Sequence, residues 1–322
     1  MKKKLLSLLT ATAVLFSMAA CGKEEEKKED GTYNIGICQL VQHDALDAAT
    51  QGFKDALTKE FGDKVSFDVQ NAQGDSATCA TIANSFVSKK KDLILANATS
   101  ALQACVNATG DIPVLGTSVT EYGVALSLKD FDGTVGGNVS GTSDLAPLDE
   151  QAQMIKDFCP TLKKVGILYC SAEANSKYQA DTIKVYLEEL GFECEIYTFS
   201  DTNDISAVVT KCASESEIIY IPTDNTAASN TELIDSICSE KNIPIFAGEE
   251  GIAKGCGVAT LSISYYDLGY ATGEMAVKIL KGEADISKMA IEYAPNVTKK
   301  AVKSRCEKIG INVPEGYEYM EE

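Results

Sequence analysis

The residues of this sequence that could bind a small molecule are polar and follow short apolar runs, which are typical of buried strands. In the first half of the chain they are Gln39, His43, Thr99, Ser100 and Thr117. In the second half they are Asn175, Thr223, Asp224, Asn225 and Glu249, and Tyr265 follows a later run of the same kind. Because ligands of parallel sheets bind beyond the carboxyl ends of the strands, we expect these side chains to form one site.

The chemistry of these side chains suits a ligand that carries both a negative and a positive group, such as an amino acid. We expect Thr99 and Ser100 to bind a carboxylate, because a helix start offers free N–H groups beside their hydroxyls. Asp224 or Glu249 would accept hydrogen bonds from an ammonium group. The rings of Tyr265 and Tyr122 would flank an aromatic ligand side chain.

Each of these side chains also has a purely structural interpretation. Thr99 and Ser100 are common N-cap residues, and Asp224 could simply begin a turn. His43 is the only histidine of the chain, and a single histidine is often structural. The sequence therefore leaves open, residue by residue, whether a polar group contacts a ligand or caps a helix.

Sequence motifs of common enzyme classes are absent. The chain contains no G-x-S-x-G, no P-loop, no G-x-G-x-x-G and no H-E-x-x-H. A Ser-His or Cys-His pair would depend on His43 alone, and no nucleophile motif accompanies it. We therefore expect a binding protein with no catalytic residues, no cofactor and no metal site.

The elements that must position the polar residues alternate between strand and helix from residue 33 onward. Short apolar runs, such as 33–38 and 92–96, alternate with longer segments whose apolar residues recur at helical spacing, such as 45–61. Buried strands separated by amphipathic helices indicate an α/β fold, with helices on both faces of a parallel sheet.

The strand–helix pattern occurs twice. Gly36 corresponds to Gly166, and Ile112-Pro113-Val114 corresponds to Ile243-Pro244-Ile245, at offsets of about 130 positions. We therefore predict two similar parallel-sheet lobes joined by multiple crossovers. Lobe one would comprise 33–140 plus about 264–285, and lobe two 141–263 plus about 286–322, with crossovers at the glycine-rich run 136–142, near Tyr265 and within 281–288.

The N-terminus has the features of a secretion signal that ends at a cysteine. Three lysines precede an apolar stretch from Leu5 to Met18 that is too short to span a membrane, and Cys21 follows two alanines. We predict a lipoprotein signal peptide over 1–20, a lipid on Cys21 that anchors the protein outside the cytoplasm, and a charged, disordered tether over 21–32. An ordinary secretory signal is the alternative.

The charge of the chain and the spacing of its cysteines exclude some kinds of partner and site. The formal net charge of −18 argues against a nucleic-acid partner. Of the eleven cysteines, no two after Cys21 are closer than eleven positions, which excludes C-x-x-C redox pairs and zinc-knuckle spacing. We expect most of these thiols to be free and buried, with some disulfides as the alternative.

Five segments together carry a specific pattern: 34–49, 70–75, 138–144, 222–226, and 265–269 with 273–276. This pattern is similar to that of the TrpX-like family of ABC-transporter substrate-binding lipoproteins, and departs from it at Asp44, where the family has proline, and at Gln42, where glutamate is common. The resemblance implies a type I periplasmic-binding clamshell, an aromatic amino acid as ligand, and ABC permease and ATPase subunits as partners. A sugar- or nucleoside-binding protein of the same fold and a ligand-sensing receptor domain stay open as alternatives.

Overall fold

The computed structural model of the chain describes residues 32–294 and 296–321. The predicted signal peptide (1–20), Cys21 and residues 21–31 of the predicted tether lie outside these residues. In the described part the chain is an α/β structure with two sheets, as the sequence predicts. No helix of this part is long and apolar enough to cross a membrane.

Strands and helices alternate through most of the described chain. The strands are β1 (Tyr33–Gln39), β2 (Val65–Asn71), β3 (Leu93–Asn97), β4 (Val114–Val119), β5 (Val139–Ser143), β6 (Lys164–Cys170), β7 (Glu193–Phe199), β8 (Ile218–Ile221), β9 (Ile245–Ala247), β10 (Ala259–Ile263), β11 (Glu292–Tyr293), β12 (Val297–Val302) and β13 (Glu318–Met320). The helices are α1 (Asp44–Phe61), α2 (Ser76–Ser88), α3 (Thr99–Ala108), α4 (Tyr122–Ala125), α5 (Leu148–Phe158), α6 (Ala174–Glu189), α7 (Ile205–Glu215), α8 (Asn225–Ala228), α9 (Thr231–Ser239), α10 (Glu250–Cys256), α11 (Tyr265–Leu280) and α12 (Lys303–Ile309).

The strands form two sheets, and each sheet is the centre of one lobe. The first sheet has the order β11-β5-β4-β3-β1-β2 and is parallel throughout. The second has the order β13-β12-β10-β9-β8-β6-β7, in which only the β10–β12 pair is antiparallel. Parallel strands end at the same edge of a sheet, so the loops after β1, β3 and β4 lie together, as do those after β6, β8 and β9.

Helices cover both faces of each sheet, which explains why the central strands are apolar at nearly every position. In β3, Leu93 and Leu95 pack with α1 and α11, whereas Ile94 and Ala96 pack with α2 and α3. The second sheet is built in the same way, with α5 and α6 on one face and α7, α9 and α10 on the other.

The predicted lobe boundaries are wrong at two places. Residues 141–143 and 286–293 were expected in lobe two, but β5 pairs with β4 and β11 pairs with β5, so both belong to the first sheet. The glycine-rich run looked like a hinge, yet Gly141 lies inside β5, where a Cβ would overlap the Gly116 carbonyl oxygen. The chain crosses instead between Ser143 and Leu148, at Ser264, and between Tyr293 and Val297.

Helices α1 and α11 pack side by side in the same direction, and their contact depends on glycine. A Cβ at Gly269 would overlap the Ala49 carbonyl oxygen, one at Gly52 would overlap that of Tyr266, and one at Gly273 would lie 2.6 Å from the Ala56 Cβ. The helices therefore meet backbone to backbone, and both begin at the cleft between the lobes, at His43 and Ser264.

The ten cysteines of the described residues are all free, and nine of them are buried, with Cys194 partly buried. The expectation of free, buried thiols is therefore confirmed for this part of the chain. They behave as small apolar side chains in the cores of the two lobes.

Candidate ligand-binding site

A small cavity lies between the lobes, where the carboxyl ends of the two sheets face each other. It is lined by His43, Leu46, Ser118, Asp144, Asn175, Thr223, Asp224, Asn225, Ala228, Glu249 and Tyr265. Seven of the eleven predicted site residues are among them. The free space is about 10 Å³, room for about one water molecule. An amino acid could enter only if the lobes moved apart.

Three buried polar atoms that line this cavity have no hydrogen-bond partner in the described residues. They are His43 Nδ1, Ser118 Oγ and Asp144 Oδ1. Buried polar atoms are nearly always paired, so each unpaired one needs an explanation. Asn97 Oδ1 and Thr260 Oγ1 are also unpaired, but they do not line the cavity. The convergence of three such atoms at one place indicates a polar ligand.

Asp144 follows β5 at the first crossover and is 4% exposed. Its Oδ2 accepts a hydrogen bond from the Tyr265 hydroxyl at 2.9 Å, which leaves Oδ1 for the cavity. Burial raises the pKa of Asp144, while Thr120 and Tyr265 act in the opposite direction. None of the described residues that line the cavity is a lysine or an arginine. A cationic group of a ligand would therefore be the natural partner of this carboxylate.

Ser118, the neighbour of the predicted Thr117, lines the cavity, and its backbone explains how its hydroxyl reaches it. It lies within β4, which is buried at every position, and has a φ of 54°. Ala98, directly after the neighbouring β3, has a φ of 91°. Positive φ at residues other than glycine is strained and is common at functional sites. Ala98 donates its N–H to the Thr117 carbonyl oxygen at 3.0 Å, so the two strained residues lie at adjacent strand ends.

The carboxylates of the second lobe are already occupied by backbone N–H groups. Asp224 accepts from Cys170 N at 2.7 Å and from Ala227 N at 2.8 Å. Glu249 accepts from Gly251 N at 2.6 Å and from Ile252 N at 2.5 Å. These contacts cap α8 and α10, so the capping interpretation describes both residues in this structure.

Glu173, just before α6 and two positions from the predicted Asn175, completes this arrangement. It accepts hydrogen bonds from the backbone N–H groups of Asn225 at 3.0 Å and Thr226 at 2.8 Å, and from the Asn175 side chain at 3.2 Å. Burial and the nearby Glu173 charge raise the pKa of Asp224. Burial also raises the pKa of Glu249, whereas the nearby His43 lowers it.

Four predicted residues and Tyr122 do not line the cavity. Gln39 donates to Asp47 at 2.6 Å and accepts from Thr50, and Thr117 lies 3.3 Å from Thr142 inside the first lobe. Tyr122 is 1% exposed and donates to the Thr142 carbonyl oxygen, so its ring belongs to the core.

Thr99 and Ser100 begin α3, beside the cavity rather than on it. Ser100 lines a wider groove between the lobes that also contains Asn225. The N-cap residues of α3 and α1, Ala98 and His43, make no side-chain cap hydrogen bond. The first turns of both helices therefore keep uncapped N–H groups near the cleft, where an anionic group would be stabilised.

Among the residues that the structure describes, two side-chain hydrogen bonds join the lobes across the cleft. His43 Nε2 lies 3.2 Å from Asn225 Oδ1, and Gln179 Nε2 donates to Thr120 Oγ1 at 3.4 Å. Both pairs combine one residue from each lobe, so both would break if the lobes separated.

Comparison with known proteins agrees with this architecture. A family model described as ABC transporter substrate binding protein matches residues 34–317. A tyrosine-binding protein of Clostridioides difficile is 38% identical over 295 residues, which cover 88% of this chain and 85% of the relative.

Two solved structures are similar over nearly their whole length. An ABC domain from Streptococcus pneumoniae in complex with L-Trp is 33% identical, with a TM-score of 0.85 over 90% of this chain and 100% of that one. A ligand-free, open structure of a substrate-binding protein with adhesive properties from Clostridium difficile is 38% identical, with a TM-score of 0.69 over 90% and 99%. The resemblance and the two-sheet fold predicted from the sequence are confirmed, and the chain belongs to the ABC transporter substrate-binding protein family.

Proposed function

We propose that this protein captures an aromatic L-amino acid outside the cytoplasm and delivers it to an ABC importer. The observation that carries the proposal is the convergence of His43 Nδ1, Ser118 Oγ and Asp144 Oδ1 on one cavity between the lobes. A tyrosine-binding relative and a tryptophan-bound structural neighbour support the aromatic class.

The ammonium group of the ligand is assigned to Asp144 rather than to Asp224. Both carboxylates are buried, but Asp224 already accepts two backbone hydrogen bonds, whereas Asp144 has a free oxygen. A charge-assisted hydrogen bond to an ammonium group would satisfy that oxygen and compensate the buried charge.

The carboxylate of the ligand is assigned to donors of the first lobe. Ser118 Oγ is an unpaired hydroxyl that can donate to a carboxylate. His43 Nδ1 is also unpaired, and because Nε2 faces the acceptor Asn225 Oδ1, Nδ1 donates only from the doubly protonated imidazolium. The uncapped first turns of α1 and α3 add backbone N–H groups nearby. This assignment keeps Thr99 and Ser100 as members of the carboxylate subsite.

We infer that the two lobes are closed on each other in this structure. The overall match is better to the tryptophan complex than to the open structure, although the open structure is the more similar of the two in sequence. The small cavity and the two hydrogen bonds between the lobes support the same interpretation. The cleft would have to open before a ligand enters. Binding would then favour closure by a hinge movement.

Calorimetry against a panel of ligands tests the substrate class. We expect L-tyrosine, L-tryptophan or L-phenylalanine to bind, and L-leucine to bind more weakly, because it lacks the aromatic surface. N-acetyl-L-tyrosine is the matched control, since it keeps the ring and the carboxylate but has no ammonium group. Binding of a nucleoside or a sugar with no binding of any aromatic amino acid would contradict the proposal.

The lipid anchor on Cys21 is also part of the proposal, and it rests on the short apolar stretch before that cysteine. Cys21→Ser should move the protein from the membrane fraction to the soluble extracytoplasmic fraction, because a serine cannot carry the thioether-linked lipid. Cys194→Ser is the control, since this partly buried thiol lies in the second lobe and should leave the distribution unchanged. A Cys21→Ser protein that stays with the membrane would show that the anchor lies elsewhere.

A further inference from the structure

Tyr265 holds a position that its ring alone does not explain. It is the first residue of α11, is 6% exposed, and directs its hydroxyl to Asp144 Oδ2 at 2.9 Å. The sequence suggested a ring that flanks the ligand. The hydrogen bond indicates a different task, because Asp144 is the residue whose other oxygen faces the cavity without a partner.

The hydroxyl of Tyr265 is fixed by the packing of its helix. The ring lies in a cluster with Ala45 and Ala49 of α1 and with Ile263 and Leu268. Since α1 and α11 meet backbone to backbone at Gly269, the start of α11 has little freedom to shift against the first lobe. The donor of the Tyr265–Asp144 hydrogen bond is therefore held in place before any ligand arrives.

We propose that Tyr265 is a positioning residue for ligand binding, which holds the Asp144 carboxylate so that Oδ1 faces the ammonium group of the ligand. The inference rests on the proposed function, since it takes Asp144 as the ammonium acceptor. Without the Tyr265 hydroxyl, Asp144 Oδ2 would lose its buried hydrogen-bond donor. The carboxylate would then be free to rotate.

The same hydrogen bond affects the pH range in which Asp144 can bind a cation. Burial raises the pKa of this carboxyl group, and the hydroxyl groups of Thr120 and Tyr265 lower it. The other titratable groups around it are His43, Asp224 and Glu249 across the cavity and Tyr122 on the side of the first lobe. Because an ammonium group favours the ionised carboxylate, affinity should be present above the pKa of Asp144 and be lost as the pH falls through it.

Tyr265→Phe tests the role, with L-tyrosine as the probe and calorimetry as the measurement. We expect about three- to tenfold weaker binding at pH 7. The pH at which affinity falls should also move upward, because the variant lacks the hydrogen bond that favours the ionised carboxylate. Tyr220→Phe is the matched control, since it removes a buried hydroxyl that donates to Gln151 in the second lobe and should leave the pH profile unchanged.

Three results would overturn the inference: an unchanged pH profile in Tyr265→Phe, an equal shift in Tyr220→Phe, or wild-type affinity throughout. If Asp144→Asn also binds L-tyrosine normally, the assignment of the ammonium group to Asp144 fails with it, while the proposed function stands. If Asp144→Asn loses binding, only the role of Tyr265 fails. The proposed function itself fails if the wild type binds no aromatic amino acid. The wild type gives a second measurement that needs no folded variant. Calorimetry in buffers of different ionisation enthalpy should detect proton release on binding that increases toward acidic pH, and no release would count against the inference.

Discussion

Asp144→Asn is expected to weaken the binding of the aromatic amino acid about tenfold to a hundredfold, because it removes one charge-assisted hydrogen bond of about 1.5–3 kcal/mol. The substitution keeps the size of the side chain and an oxygen that can accept from Tyr265. In the ligand-free protein it also removes a buried carboxylate with an unpaired oxygen. The unfolding midpoint without ligand should therefore stay unchanged or rise. Calorimetry and thermal unfolding measure the two effects separately.

Asp224→Asn is the matched variant, and the opposite pattern is expected for it. Asp224 caps α8 and also binds the Cys170 N–H, so the amide should lower the free energy of unfolding by about 1–3 kcal/mol. Affinity of the folded protein should change little, since both oxygens already have partners. A larger loss of affinity in Asp224→Asn than in Asp144→Asn would contradict the assignment to Asp144. It would indicate that Asp224 binds the ammonium group, as the sequence first suggested.

The two lobes were predictable because their signals are local and are repeated. Apolar strand runs and helical spacing depend on near neighbours in the chain, and their recurrence about 130 positions later identifies the second lobe. The cysteines follow the same repeat. Cys38 and Cys170 lie near the ends of β1 and β6, and Cys79 and Cys212 lie in α2 and α7. Both pairs are buried in corresponding cores, which explains part of the unusual cysteine content.

The role of Asp144 could not be predicted, because it depends on contacts that are remote in sequence. It follows a run rich in glycine, which reads as a turn, and only the pairing of β5 with β4 buries it. Its hydrogen-bond donor, Tyr265, is 121 positions away. The backbone of Ser118 could not be predicted for a similar reason, since nothing in its neighbours indicates a positive φ.

For Asp224 and Glu249 the sequence predicts the position but not the role. Their position after a strand and before a helix was predicted correctly, and both line the cavity. Residues at that position can bind a ligand or cap the helix, and the same carboxylate chemistry serves both. Only the distances to the Cys170, Ala227, Gly251 and Ile252 N–H groups show that these oxygens are already in use.

The second large effect is expected at Gly269, in the contact between α1 and α11. Gly269→Ala should lower the free energy of unfolding by about 3 kcal/mol, because the new Cβ would overlap the Ala49 carbonyl oxygen and force the helices apart. The direction is informative, since replacing glycine by alanine inside a helix normally stabilises by about 0.5–1 kcal/mol. Denaturant unfolding measures the change.

Gly110→Ala is the matched control for this substitution, because a Cβ there meets no atom within 4 Å and the change should stay within about 0.5 kcal/mol. A Gly269→Ala protein that is more stable than the wild type would contradict the prediction. It would mean that α1 and α11 can move apart without loss of stability. The close contact also connects stability with binding: α1 and α11 begin at the cleft with His43 and Tyr265, so helices forced apart would move the Tyr265 hydroxyl away from Asp144. Gly269→Ala should therefore weaken ligand binding as well, whereas Gly110→Ala should leave it unchanged.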